Sequence, residues 1–278
     1  MIRGTTSLIA HIGYPPHVFK SPLIYNPYFE RAGIDTVVVP MGCEAGHFPA
    51  LLKSVFKLTN ICGALITMPY KVTTVGLLDE MTTTVKIAGS CNAVRRGADG
   101  RLQGDLFDGE GFVRGVRRKG GRIAGARALV VGCGGVGSAI AASLAAVGVA
   151  ELSLHDVRRG QAEALAGRLA RQYPALKLSM GADPAGHDLV VNATPLGMND
   201  GDPMPMEVSR IAPGTYVGEV VMKQEMTPFL RAAQARGCSF QVGLDMLFEQ
   251  IPAYLEFFGL PTTTPDVLRS VARLGGQS

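Results

Sequence analysis

Two sets of residues in this chain have the types and spacing to do chemistry. The first is Gly132-Cys133-Gly134-Gly135-Val136-Gly137, which leaves the apolar run Ala128-Leu129-Val130-Val131 and opens an Ala-rich helical stretch. Gly132 allows a tight turn, Gly134 lets a backbone approach a pyrophosphate, and Gly137 lets the helix pack against the strand. The helix N-terminus offers free N–H groups to phosphate. Asp156 ends the next strand, about 20 residues past Gly137, where an acid that binds a ribose diol is expected. A glycine-rich turn with no ligand is the plainer alternative, and the strand–turn–helix context with Asp156 favours a dinucleotide.

The second set is Thr67, Lys71, Asn92 and Asp108, each at a strand end or in a turn. Oxidising an alcohol requires a group that takes the hydroxyl proton as hydride leaves and returns it on reduction. A lysine beside a carboxylate can do this, because burial weakens its hold on the proton and the carboxylate orients it. Lys71 and Asp108 are the candidates. On spacing alone each is more often a structural ion pair or a helix-terminal charge, Asn92 a turn residue and Ser21 an N-cap.

These residues must be held by a chain of 278 residues, long enough for two domains, with 47% hydrophobic and 18% charged residues. That balance excludes disorder. No apolar run reaches the roughly 18 residues that span a bilayer. The N-terminal stretch lacks the pattern of a signal peptide, so a cytoplasmic location is expected. Cys43, Cys62, Cys91, Cys133 and Cys238 are scattered, outside any CxxC pair. They read as reduced thiols, with no metal site expected. The net charge is +4, and Arg114, Arg117, Arg118, Lys119 and Arg122 cluster with Phe112 as the only aromatic among them. A solvated helix face is expected there, rather than a nucleic-acid surface.

The pattern alternates strand and helix through both halves. Strands are expected at 7–12, 36–40 and 63–66, with helices from Pro22 to Gly33 and at 49–58. Thr67-Met68-Pro69-Tyr70-Lys71 turns into a further helix. A hairpin at 91–95 and 101–107 is joined by Ala98-Asp99-Gly100. Asp108 to Arg118 reads as a linking helix. Beyond the glycine turn, a helix at 161–172 precedes strands at 176–179, 188–192, 216–221 and 239–242. The chain is helical from Gly243, with Pro252 expected to kink or restart it. Thr264-Pro265-Asp266 caps a last helix ending at Gly275-Gly276. The fold class is α/β with two domains: an N-terminal α/β substrate-binding domain and a Rossmann-type doubly wound nucleotide-binding domain.

The order of these segments resembles the shikimate dehydrogenase family over nearly the whole chain. Gly13-Tyr14-Pro15 with Lys20-Ser21-Pro22 is similar to the family's first substrate loop. Thr67-Met68-Pro69-Tyr70-Lys71 is similar to T-x-P-[FY]-K, and Gly89-Ser90-Cys91-Asn92-Ala93 to G-A-x-N-T. Gly104-Asp105-Leu106-Phe107-Asp108-Gly109 resembles G-x-N-T-D-G, and Asn192-Ala193-Thr194-Pro195-Leu196-Gly197-Met198 resembles N-A-T-x-x-G-M. Gly243 to Gln250 resembles G-x-x-M-L-x-x-Q. The resemblance implies catalysis by Lys71 and Asp108, with Ser21, Thr67, Asn92, Gln250 and the position of Phe19 at the substrate. It implies a cofactor site at Gly132, Gly134, Gly135, Val136, Gly137, Asp156, Asn192, Ala193, Thr194, Val220, Gly243 and Met246. Residues 1–107 with 243–278 would form the substrate domain, and 108–242 the nucleotide domain.

The departures are informative. Phe19 stands where the family has a serine that holds the substrate carboxylate, Leu65 replaces an asparagine, Leu106-Phe107 replaces N-T, and Met222 replaces a tyrosine. A more apolar rim weakens shikimate binding or shifts the preferred substrate. Members using NADP carry Asn-Arg-Thr where this chain has His155-Asp156-Val157, so NAD is the expected cofactor, preferred over NADP. Arg158 and Arg159 would blunt that preference by folding back. The expected activity is hydride exchange between NAD and shikimate or a close cyclic hydroxy acid, by a monomer or homodimer. Quinate or aminoshikimate dehydrogenation is one alternative. A catalytically silent NAD- or metabolite-sensing protein is another, which the intact Lys71–Asp108 pair disfavours and a turnover assay separates.

Overall fold

The computed structural model describes residues 2–274. They divide into two compact units, one of residues 2–85, 89–106 and 251–274, the other of 86–88 and 107–250. In the first lie β1 (Ser7–Gly13), α1 (Pro22–Ala32), β2 (Thr36–Gly42), α2 (Phe48–Val55), β3 (Ile61–Ile66), α3 (Lys71–Val75) and β4 (Glu80–Met81). After α4 (Thr83–Ala88) come β5 (Ala93–Arg96) and β6 (Leu102–Asp105). The sheet order is β2-β1-β3-β5-β6-β4. β1 pairs in parallel with β2 and β3, while β5 runs antiparallel to β3 and β6. The β5–β6 turn is closed by Gly97 N–H to Arg101 O, with Gly100 at φ 84, where an Asp-Gly pair is favoured.

The second unit carries α5 (Asp108–Arg118), β7 (Arg127–Val131), α6 (Gly135–Ala146), β8 (Glu151–His155), α7 (Arg159–Gln172) and β9 (Lys177–Met180). Then follow β10 (Leu189–Asn192), β11 (Tyr216–Glu219), α8 (Pro228–Ala235) and β12 (Ser239–Gln241). The order β12-β11-β10-β7-β8-β9 is all parallel, with the reversal at β7/β10 of a doubly wound nucleotide fold. Such a sheet is buried on both faces. Leu129, Val131, Val190 and Val217 pack with Phe229 and Leu230 of α8, while Ala128, Val130, Leu189 and Val191 pack with Phe112, Ile140 and Leu144. Helix α9 spans Gly243–Phe257, and α10 spans Pro265–Val271.

Several elements differ from the sequence expectation. Helix α9 runs through Pro252 without a break, because Ile251, Ala253 and Leu255 are buried and hold it against its neighbours. Helix α10 stops at Val271, and Gly275-Gly276 lie outside the described residues. The short β4 and α4 carry weak periodicity, and they are fixed by Thr82, which caps α4 and donates to Asp105. Ser21 sits at the N-cap position of α1, yet its hydroxyl makes no capping hydrogen bond. Thr264 does cap α10, accepting from Val267 N–H. No described helix is long and apolar enough to cross a membrane.

Candidate active site

In the first unit the candidate substrate residues converge through their own backbones. Thr67 follows β3 and donates its N–H to Ile12 O of β1. Ile66 N–H bonds Asn92 O, and Asn92 N–H bonds Asp105 O, which sets Asn92 beside the end of β3. Lys71 opens α3 and accepts Cys91 N–H at 2.8 Å on its carbonyl. Tyr70, just before it, stacks on Phe48 with ring centroids 4.1 Å apart and donates its hydroxyl to Cys43 O. Thr67, Lys71 and Asn92 therefore share one end of the sheet, with Asn92 buried and Lys71 half-buried.

The same wall holds a residue that the sequence motifs did not flag. His11 lies on β1, only 6% exposed, with its ring stacked on Phe19 at 4.1 Å. Burial, and then the charge of Lys71, lower its pKa to about 4, so it is neutral near pH 7. A Cβ on Gly13 would meet Thr67 Cγ2 at 2.3 Å and Phe19 Cζ at 3.0 Å, so Phe19 lies against the Thr67 turn. A polar residue inside the apolar run Leu8-Ile9-Ala10-His11-Ile12 was the available signal. Ser21 is half-buried nearby in sequence.

In the second unit Asp108 begins α5 and is 5% exposed. A carboxylate in the first turn is favoured by the helix dipole. Gln250 is 7% exposed, and its Oε1 has no hydrogen-bond partner among the described residues. The basic stretch on α5 is occupied by acids: Arg114 pairs with Glu110, Arg118 with Glu249 and Lys119 with Asp245. Among the described residues the five cysteines are free, and no group of three or more His, Cys, Asp or Glu could hold a metal.

The glycine turn is built for a close ligand. Gly132 has φ 98, a value that favours glycine, and donates its N–H to His155 O at 2.7 Å. A Cβ on Gly137 would meet Gly132 O at 1.8 Å, so α6 can start only with glycine there. Around Gly134 there is open space on the Cβ side. Gly135 is exposed and Val136 half-buried at the helix start. A cavity of about 390 Å³ runs past Gly132, Gly134, Asp156, Arg158, Ala193 and Thr194. This cradle, at a helix N-terminus and the sheet's switch point, fits a dinucleotide.

Other expected cofactor residues are placed differently. Asn192 is fully buried and spends its side chain on the loop: Nδ2 donates to Leu196 O and Glu219 Oε1, while Oδ1 accepts from Thr194. Val220 is half-buried behind it and donates its N–H to Asn192 O. Gly243 serves close packing: a Cβ there would meet Val221 O at 2.1 Å, so α9 needs glycine to start against that strand end. Met246 is 1% exposed and packs in the core with Phe112. Glu219 was not expected from the sequence. It is fully buried, accepts from Asn192 and Thr227, and burial raises its carboxyl to about 7 against those bonds.

A cradle for a dinucleotide, and a separate cluster of lysine, asparagine and threonine suited to a hydroxylated substrate, define a nucleotide-dependent alcohol dehydrogenase. The comparisons give the family. Residues 12–94 match the model of the shikimate dehydrogenase substrate binding domain. The chain is 34% identical to a shikimate dehydrogenase (NADP(+)) of Acidiphilium cryptum, covering 98% of each protein. It is 33% identical to a protein of the same name from Rubrobacter xylanophilus, covering 99% of this chain and 98% of that one. The structure superposes on shikimate 5-dehydrogenase of Listeria monocytogenes, solved with shikimate and NAD, with TM-score 0.91, 25% identity and 97% of each chain covered. The chain belongs to the shikimate dehydrogenase family, and it is an oxidoreductase.

The expected preference for NAD is overturned, since both of these curated relatives are NADP(+) enzymes. Asp156 itself lines the cavity beside the glycine turn. Its Oδ2 accepts Cys133 N–H and its Oδ1 accepts Arg158 N–H, each at 2.8 Å. Arg158 Nε lies 3.5 Å from Oδ1. Burial alone would raise the carboxyl, but these bonds and the Arg158 charge hold it below its usual value. Asp156 thus helps to shape the turn, with Arg158 beside it.

Proposed function

We propose that the protein interconverts shikimate and 3-dehydroshikimate with NADP(H), acting in the cytoplasm as a monomer or homodimer. The observation that carries this is the convergence of Thr67, Lys71 and Asn92 at one end of the first sheet, each set there by a backbone hydrogen bond. When bound, the cofactor supplies or accepts the hydride. Gly132 to Gly137 and the N-terminus of α6 would hold its pyrophosphate, and Arg158 would pair with a 2′-phosphate. Lys71 Nζ takes the proton of the reacting hydroxyl and returns it to the carbonyl oxygen in reduction. Thr67 and Asn92 orient the ring and Ser21 Oγ donates to the carboxylate, and the family resemblance adds Asp108 and Gln250 to the residues of the reaction. In this reading the first unit serves the substrate and the second the nucleotide.

The test is a screen of shikimate, quinate and other cyclic hydroxy acids with NADP and NAD, following absorbance of the reduced cofactor. Shikimate with NADP should give the highest kcat/KM. A higher kcat/KM with quinate would reassign the substrate, and no turnover with any cyclic hydroxy acid would refute the activity.

A further inference from the structure

His11 is unexplained by the chemistry assigned so far. Its Nδ1 is buried with no hydrogen-bond partner among the described residues. Buried ring nitrogens are ordinarily paired, and an orphan beside a substrate-binding wall points to a ligand as the missing partner. The surroundings place it there. His11 is directly across the parallel ladder from Leu65, one strand position from the Thr67 turn, and its other face is covered by Phe19. Leu65 and Phe19 offer no polar atom, so the imidazole supplies the polar edge between them. Lys71 opens α3 directly after the Thr67 turn. A neutral imidazole has one donor and one acceptor nitrogen, which suits a hydroxyl better than a carboxylate.

We propose that His11 is a specificity-determining residue whose imidazole hydrogen-bonds the substrate hydroxyl next to the one that Lys71 deprotonates. Its position on a central strand, braced by Phe19, holds the ring in one orientation and makes that wall selective for a vicinal diol. The ring neither gains nor loses a proton in the reaction. This inference rests on the reading of Lys71 as the proton carrier for a cyclic hydroxy acid.

The test compares wild type, His11→Leu and His11→Gln with shikimate and with 4-deoxyshikimate, which lacks the hydroxyl adjacent to the reacting carbon. His11→Leu should raise KM for shikimate by about tenfold, the upper range for one hydrogen bond. The change should fall on KM rather than kcat, and KM for the deoxy compound should stay unchanged. His11→Gln, which keeps a donor and an acceptor, should recover most of the loss. An equal rise in KM for both compounds would show a structural role only and overturn the proposal, as would an unchanged KM for shikimate. Failure of the wild-type protein to oxidise shikimate would overturn the underlying activity as well, so the two failures are distinguishable.

Discussion

Replacing Glu219 by glutamine should flatten the pH dependence of stability between pH 5 and 8. The carboxyl is fully buried and lifted from 4.5 to about 7 by burial, against hydrogen bonds from Thr227, Asn192 and the Val221 backbone. In the unfolded chain it ionises at its ordinary value. Between these two values the folded protein holds a proton that the unfolded chain has lost, so stability falls as pH rises through this window. The contribution is fully present below about 4.5 and lost above about 7. At 1.36 kcal/mol for each unit, the change amounts to roughly 3 kcal/mol. At about 2–4 °C per kcal/mol, the Tm of wild type should drop by about 6–12 °C relative to Glu219→Gln between pH 4.5 and 8. The constant offset from exchanging oxygen for nitrogen cancels, because the comparison is between pH values. Thermal unfolding followed by far-UV circular dichroism at several pH values reads this difference directly. Tm curves that run parallel within about 2 °C would show that Glu219 keeps an ordinary carboxylate and that the bonds it accepts from Asn192 and Thr227 outweigh its burial.

Three further outcomes follow from the candidate site. Lys71→Ala should lower kcat by at least about 100-fold, the usual loss on removing a general acid–base group, with cofactor affinity by titration unchanged; wild-type turnover would remove Lys71 from the chemistry. Phe19→Ser should lower KM for shikimate, with a gain of about 1.5–3 kcal/mol at best from one new bond to the carboxylate. The lost stacking on His11 opposes that gain, and an unchanged or higher KM would mean the carboxylate is held elsewhere. Arg158→Ala should raise KM for NADP by about tenfold or more while leaving kcat/KM with NAD nearly unaltered, as expected on losing a bond to a phosphate. Equal effects on both cofactors would instead show that Arg158 only supports the turn through Asp156.

The fold was legible where local rules and burial agree. The glycine turn is forced by contacts a Cβ would make, as at Gly137, and the run Ala128–Val131 is apolar at every position because both faces of its sheet are covered. The α/β class and the family resemblance are borne out by the sheet orders and the comparisons. Periodicity had less to offer at β4 and α4, which span two and six residues and depend on the Thr82–Asp105 bond from a distant strand. Nor does spacing report Pro252, where burial on both sides carries the helix across a missing N–H. At the candidate site, motif reasoning finds residues at strand ends but not those whose role comes from a neighbouring strand. His11 is placed by Phe19 and Leu65, and Glu219 by Asn192 and Thr227.

Asp156 carried an expectation, the preference for NAD, that the NADP(+) relatives overturn. The acid directly follows β8, and each of its oxygens accepts one bond within the turn, from Cys133 or from Arg158. A carboxylate discriminates against a phosphate through net repulsion, and repulsion is weak when an arginine stands 3.5 Å away on the same loop. Arg158 is largely exposed, so its stem can reorient toward an incoming anion while its backbone N–H keeps Asp156 in place. On the proposed reading the acid fixes the loop and the base would meet the ligand. The Asp156–Arg158 pair is accordingly what the comparison of NADP and NAD in Arg158→Ala tests.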